Sequence, residues 1–134
     1  MSRTVEASLV DKEIMKYLQN YKEDVSEVVE QVSNKVGKEA TDELKNTSPT
    51  GHRKSYAKGW RLKKDKSGRN KYIVKIHNKT DYQLTHLLEF GHATRNGGRT
   101  RAFPHIRPTE EKYKKVFEQE LRKEIGGIKW HYKN

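Results

Sequence analysis

Three residues stand close enough along the chain to suggest catalysis or metal binding: His86, Glu89 and His92. The first two lie three apart on a predicted helix, and His92 follows just past its end. Imidazole and carboxylate groups in such a pattern can ligate zinc or pass protons, as in a basic ribonuclease. The spacing by itself does not bring three ligands to one point, however, and no second metal-binding motif accompanies them. His86 is read instead as a partly buried packing residue. No GxSxG nucleophile elbow and no Walker-type loop is present, since Gly97 and Gly98 are not followed by the Lys and Ser/Thr that open a phosphate-binding helix. The chain has no cysteine, which removes disulfides and thiolate metal sites. The expectation is a protein that is not an enzyme and takes no metal or cofactor.

Recognition chemistry is better represented. Between Leu87 and Pro108 an apolar turn ends at Gly91, a basic loop follows, and a proline-broken stretch leads into a helix. The loop from His92 to Arg101 carries Arg95, Asn96, Gly97, Gly98, Arg99 and Arg101, with no large apolar residue at its tip. Those six residues are expected to contact a partner, Phe90 and Phe103 serving as anchors on either side. Charge is distributed to match. Residues 49–105 hold 14 Lys and Arg against 3 Asp and Glu, whereas residues 1–48 hold 7 against 10. A face of that kind attracts nucleic acid, an acidic protein surface or an anionic lumen. A nonspecific nucleic-acid-binding module would use this basic middle third, with Tyr56, Trp60 and Tyr72 stacking on bases. Against that stands the placement of these rings on the apolar face of predicted strands.

The elements that must position the loop can be read from periodicity. Ile14, Leu18, Tyr21, Val25, Val28, Val32, Val36, Ala40 and Leu44 recur at intervals of three or four. They predict an amphipathic helix from near Asp11 to around Ser48, roughly 50 Å long at 1.5 Å per residue, with Gly37 as a weak point or kink. Whether the whole stripe lies on the chain's own sheet or partly on another subunit stays open. A turn over Thr47 to Gly51 leads to a strand over Ser55 to Lys64, a turn over Asp65 to Asn70 and a strand over Lys71 to His77, forming an antiparallel hairpin with Arg61, Lys63, Lys71 and Lys75 on its outer face. Thr80 to Gln83 fits a capping box for a short helix carrying Leu84, Leu87 and Leu88. Arg101 to Ile106 reads as an edge strand, because Pro104 lacks a backbone donor. Pro108 or Thr109 then opens a helix with Glu110 and Glu111 at its positive end, Tyr113, Phe117, Leu121 and Ile125 as its stripe, and Gly126 and Gly127 as its stop.

The expected fold class is α+β: a long N-terminal helix and a C-terminal helix packed on a small antiparallel β-sheet. At 134 residues and 31% apolar content, one domain over residues 1–125 with a thin core is expected, followed by a tail over 126–134 in which Trp130 and Tyr132 invite docking. No apolar run approaches 18 residues and the N-terminus lacks a signal-peptide core, so neither a membrane span nor export is expected.

In this order of elements, two short motifs carry a resemblance. Leu88, Glu89, Phe90 and Gly91 match a (V/L)EFG element, and Pro104, Arg107 and Pro108 match a PFxRPA element, with Phe103 and Ile106 beside them. Together they resemble the tail-completion and head-tail joining family of long-tailed bacteriophages, the siphophages. His105 departs from the aromatic common at its position, a ring that Phe103 would supply two residues earlier, and Thr109 replaces a small residue. Pro49, Thr50 and Gly51 keep part of the family's turn before the first strand. The resemblance implies a structural virion protein at the neck or tail end, assembled in the host cytoplasm. It would form a ring with itself, commonly a hexamer, between a head-closure or neck protein and the tail tube protein, with transient contact to DNA in the channel and none to membrane.

Overall fold

The computed structural model describes residues 2–50, 54–66 and 72–128, with side chains described from residue 12 onward. Six elements follow one another: α1 (Ser2–Thr47), α2 (Lys54–Lys58), β1 (Trp60–Asp65), β2 (Ile73–Asn78), α3 (Leu84–Phe90) and α4 (Ile106–Gly126). The fold is α+β. Its two long helices lie against a two-stranded antiparallel sheet, as the periodicities require.

Helix α1 begins at Ser2 rather than near Asp11. An interior aspartate costs a helix only fractions of a kcal/mol, too little to stop one flanked by good helix formers. The helix also runs unbroken through Gly37, whose role is close approach. A Cβ there would fall 2.8 Å from Val74 Cγ1 and 2.9 Å from Leu62 Cδ1, so the missing side chain lets the sheet lie directly on the helix. Beyond this contact the apolar stripe is buried at Val36, Ala40 and Leu44. At the C-terminal end, Ser48 donates its N–H (3.0 Å) and its hydroxyl to the Leu44 carbonyl, while its hydroxyl oxygen accepts the Trp60 indole N–H at 2.7 Å. Pro49 follows, and Gly51 of the expected turn lies outside the described residues.

The strand expected over Ser55 to Lys64 is divided. Its first part is helix α2, and only Trp60 onward is strand. Tyr56 and Ala57 are adjacent and both buried, which alternation forbids but one turn of helix permits, because positions i, i+1 and i+4 share a face. The hairpin itself forms in the register Trp60↔Asn78, Leu62↔Ile76 and Lys64↔Val74. Arg61, Lys63 and Lys75 lie exposed on its outer face, whereas Lys71 and most of the expected turn fall outside the described residues.

Thr80 forms no capping box. Its hydroxyl donates to the Ser55 carbonyl at 2.9 Å, and α3 starts after Gln83 without a side-chain cap. Likewise no edge strand forms over Arg101 to Ile106, where residues 101–105 lack a strand partner and Ile106 already begins α4. Pro108 falls in the first turn of that helix, where its missing N–H has no intrahelical acceptor to lose. Helix α4 runs antiparallel to α1, the Lys112–Glu43 and Lys35–Glu120 pairs marking the direction. Its stripe of Tyr113, Phe117, Leu121 and Ile125 is half-buried. Gly126 ends it, and Trp130 and Tyr132 of the expected tail lie outside the described residues.

The core cluster consists of Leu44, Tyr56 and Trp60, with Ile76, Leu84, Leu88 and Ile106 packed against it. It sits at the junction of α1, α2, the hairpin, α3 and the start of α4. The loop between α3 and α4 springs from that junction.

Candidate functional site

The link from α3 to α4 is organised by one carboxylate. Glu89 is buried at the end of α3, and its Oε1 accepts the backbone N–H groups of His105 and Ile106, each at 2.8 Å, while Oε2 accepts that of Arg107 at 3.0 Å. These donors are the ones that the first turn of a helix leaves unsatisfied, and a negative charge there also faces the positive end of the helix dipole. Glu89 is thus the N-terminal cap of α4, supplied by another helix. Glu110 and Glu111 are not in the first turn of α4, and Glu111 instead pairs with Arg107 on the surface.

His105 completes the arrangement. Its Nδ1 lies 2.6 Å from the Phe103 carbonyl and 3.1 Å from Glu89 Oε1, and its Nε2 lies 2.7 Å from the Tyr56 hydroxyl. These partners assign the proton to Nδ1 and make Nε2 the acceptor of the tyrosine O–H. The His105 ring packs edge-on against Tyr56 and Trp60 at centroid distances of 5.6 and 6.3 Å. His105 therefore supplies the aromatic ring of the second motif itself. Phe103, expected to stand in for it, is 42% exposed.

Electrostatics keep the latch in one charge state. Burial alone would raise the Glu89 carboxyl, but the three backbone N–H groups, helped by His105, outweigh it and hold Glu89 below the usual carboxylate range. Burial, and then the nearby Glu89 charge, push the Tyr56 phenol far above its ordinary value, so it stays a hydrogen-bond donor.

Around this latch the loop is presented. Phe103 donates its N–H to the Leu88 carbonyl at 2.7 Å, bringing the far side of the loop back to α3. Gly91 ends α3 at φ 73°, and a Cβ there would fall 2.5 Å from the Thr100 carbonyl oxygen. Further out, Thr100 N–H donates to the His92 carbonyl at 2.8 Å, Ala93 bridges Arg99, and Thr94 N–H donates to the Gly98 carbonyl at 2.9 Å. Gly97, at φ 83°, makes the tip. The loop is a small hairpin closed by its own backbone. Residues 92–104 are all exposed, including Arg95, Asn96, Gly98, Arg99 and Arg101. The Arg101 guanidinium lies 5.5 Å from the centre of the Phe103 ring. Phe90, read as an anchor, is 64% exposed, so neither phenylalanine is buried by this chain.

Other expectations change with these positions. His86 is exposed, not partly buried, and both Glu89 oxygens are committed to backbone donors, so His86, Glu89 and His92 do not converge. No group of three or more His, Asp or Glu residues that could hold a metal occurs among the described residues. Tyr56 and Trp60 are buried, and Tyr72 donates to Asn34 Oδ1, which removes two of the three rings proposed to stack on bases. Beside the loop lies an apolar groove of about 880 Å³, lined by Pro49, Tyr56, Leu84, Leu87, Leu88 and Phe103 among others.

Residues 12–91 match the model of the family described as "Bacteriophage HK97-gp10, putative tail-component". The matched segment covers most of α1, the hairpin and α3, and it ends on the glycine that closes the first motif. The basic loop, the second motif and α4 lie beyond it. No curated protein and no solved structure matches the chain.

Proposed function

Because this chain belongs to the HK97-gp10-like family of bacteriophage tail components, we propose that it is the ring-forming subunit that joins the phage head to the tail tube. The ring, a hexamer on the resemblance described above, sits at the neck between a head-closure protein and the tail tube protein. The basic hairpin of residues 92–101 is the surface it offers to one of them. The observation supporting this reading is that an exposed, arginine-bearing hairpin projects from a junction closed by a buried carboxylate. Arginines held in this way suit bidentate pairing with acidic side chains of a partner. Protein contact is preferred to DNA contact, because tight binding in a conduit would hinder passage of the genome.

The reading is tested by electron microscopy of lysates from phage lacking this protein. Full heads and finished tails lying apart are the expected result, and joined particles would overturn it. A chain in which Arg95, Arg99 and Arg101 are all changed to Glu, folded by circular dichroism, is expected to fail to restore joining. Normal yields of infectious particles with that variant would remove the loop from the contact.

A further inference from the structure

Among the described residues, two apolar surfaces of this subunit stand exposed, toward opposite ends of α1. On α1 the stripe that is buried at Val32, Val36, Ala40 and Leu44 continues toward the N-terminus as Ile14, Met15 and Leu18, which are 45%, 65% and 50% exposed. At the other end is the groove beside the loop, where Leu87 and Phe103 are 40% and 42% exposed. Thr47, at the end of α1, lines that groove. Leu18 stands 29 residues earlier on an unbroken helix, roughly 44 Å away at 1.5 Å per residue. One subunit therefore cannot seat its own stripe in its own groove.

We propose that the stripe of Ile14, Met15 and Leu18 in one copy of the chain seats in the groove of the next copy. Leu84, Leu87, Leu88 and Phe103 of that next copy receive it. The inference rests on the ring proposed above and adds which surfaces make it. Two different patches meeting head to tail generate a closed ring when the rotation returns to its start, whereas a self-complementary patch gives only a pair. The spacing of Ile14 and Leu18, four residues apart with half-buried Tyr21 next in line, is that of an amphipathic helix laid in an apolar groove. Charge beyond the stripe favours the same pairing. At the stripe itself charge is balanced, Asp11 and Glu13 against Lys12 and Lys16, and the acidic excess follows at Glu23, Asp24, Glu27 and Glu30, while the loop beside the groove carries Arg95, Arg99 and Arg101. Leu87 and Phe103, idle in the single chain, become contacts.

The absence of native cysteine makes the test direct. One chain carries Leu18→Cys and a second Leu87→Cys, and both are treated with a short bis-maleimide, in concentrated solution and in particles assembled from the mixture. A covalent dimer that forms only when both variants are present is expected. Leu18→Glu, which changes an exposed residue and should leave the circular dichroism spectrum intact, is expected to weaken self-association about tenfold or more. Rings that assemble without this cross-link, and survive Leu18→Glu, would overturn the pairing while leaving the ring itself standing. A cross-link within one chain between Leu18→Cys and Trp130→Cys would also overturn it, by giving the stripe to the chain's own C-terminus, as would a cross-link to a different virion protein. A chain that is absent from joined particles, or present in them as a single copy, would overturn both readings.

Discussion

At the residue scale, Glu89 does the most for this fold with the fewest atoms. Its carboxylate closes the first turn of α4 from a neighbouring helix, at the point where the exposed loop returns to the core. Replacing it with Gln leaves one acceptor oxygen where two serve three donors. Hydrogen bonds to a charged group contribute about 1.5 to 3 kcal/mol each, and Glu89→Gln is expected to lower the unfolding free energy by about that much in urea denaturation at neutral pH. The sign of the pH dependence follows from the same contacts. The folded carboxyl is held below its unfolded value, so its contribution is complete above the ordinary carboxylate range and is lost as pH falls through the folded value. Titrating stability from neutral pH to below pH 4 should show an acid-side loss in the native chain that is smaller in Glu89→Gln. Phe103 and Phe90 give the opposite result. Phe90 is 64% exposed and Phe103 42%, so Phe90→Ala is expected to cost the isolated chain less than about 1 kcal/mol by thermal melting and Phe103→Ala somewhat more, both below the 3 to 5 kcal/mol of a buried ring.

At the element scale, the decisive contact is the seating of the hairpin on α1. Gly37 permits it, because any side chain there meets Val74 and Leu62. On an isolated helix, replacing this glycine would be favourable by some fraction of 1 kcal/mol. Here the added bulk must push aside the Val74 and Leu62 side chains, and overpacking of this kind costs about 1 to 3 kcal/mol. Gly37→Val is therefore expected to lower the urea midpoint despite the better helix former, and an unchanged or raised midpoint would show that the hairpin does not press on this turn. Helix α4 gains a second tie to α1 through Lys112–Glu43 and Lys35–Glu120, but these pairs are partly solvent-exposed and such bridges contribute little. The half-buried stripe of α4 does more of the holding.

At the scale of the whole molecule, positive charge gathers on two surfaces. The outer face of the hairpin and the exposed loop are basic, while the aromatic rings that could stack on bases are largely spent in the core. Any DNA retained by the isolated chain should then depend chiefly on phosphate contacts, with Phe90 and Phe103 the exposed rings that flank the loop. Gel-shift binding is expected to weaken by orders of magnitude between 50 and 200 mM salt, and submicromolar binding that persists at the higher salt would point to base stacking instead. The exposed N-terminal stripe of α1 is the surface that the proposed pairing of copies would cover. A stripe that is buried along one half of a helix and open along the other has surface left for another chain.

The two long helices, the hairpin and the glycine stops were legible in the sequence, because helix and strand periods are local and each is set by residues near in the chain. The motif residues Leu88 to Gly91 and Pro104 to Pro108 were legible too, but not their work. Nothing in the sequence says that the carboxylate of Glu89 would cap a helix beginning 17 residues later, that His105 would be a core ring while Phe103 stayed in solvent, or that Tyr56 would turn into a helix instead of a strand. Those outcomes depend on which groups tertiary packing brings together, and a buried donor takes whatever acceptor lies within reach, however distant in the chain. The sequence determined the two long helices, the hairpin and the charge of the middle third. Only the tertiary structure decided that Glu89 serves as a latch, that Phe90 and Phe103 face outward, and that the stripe of α1 outruns the core meant to cover it.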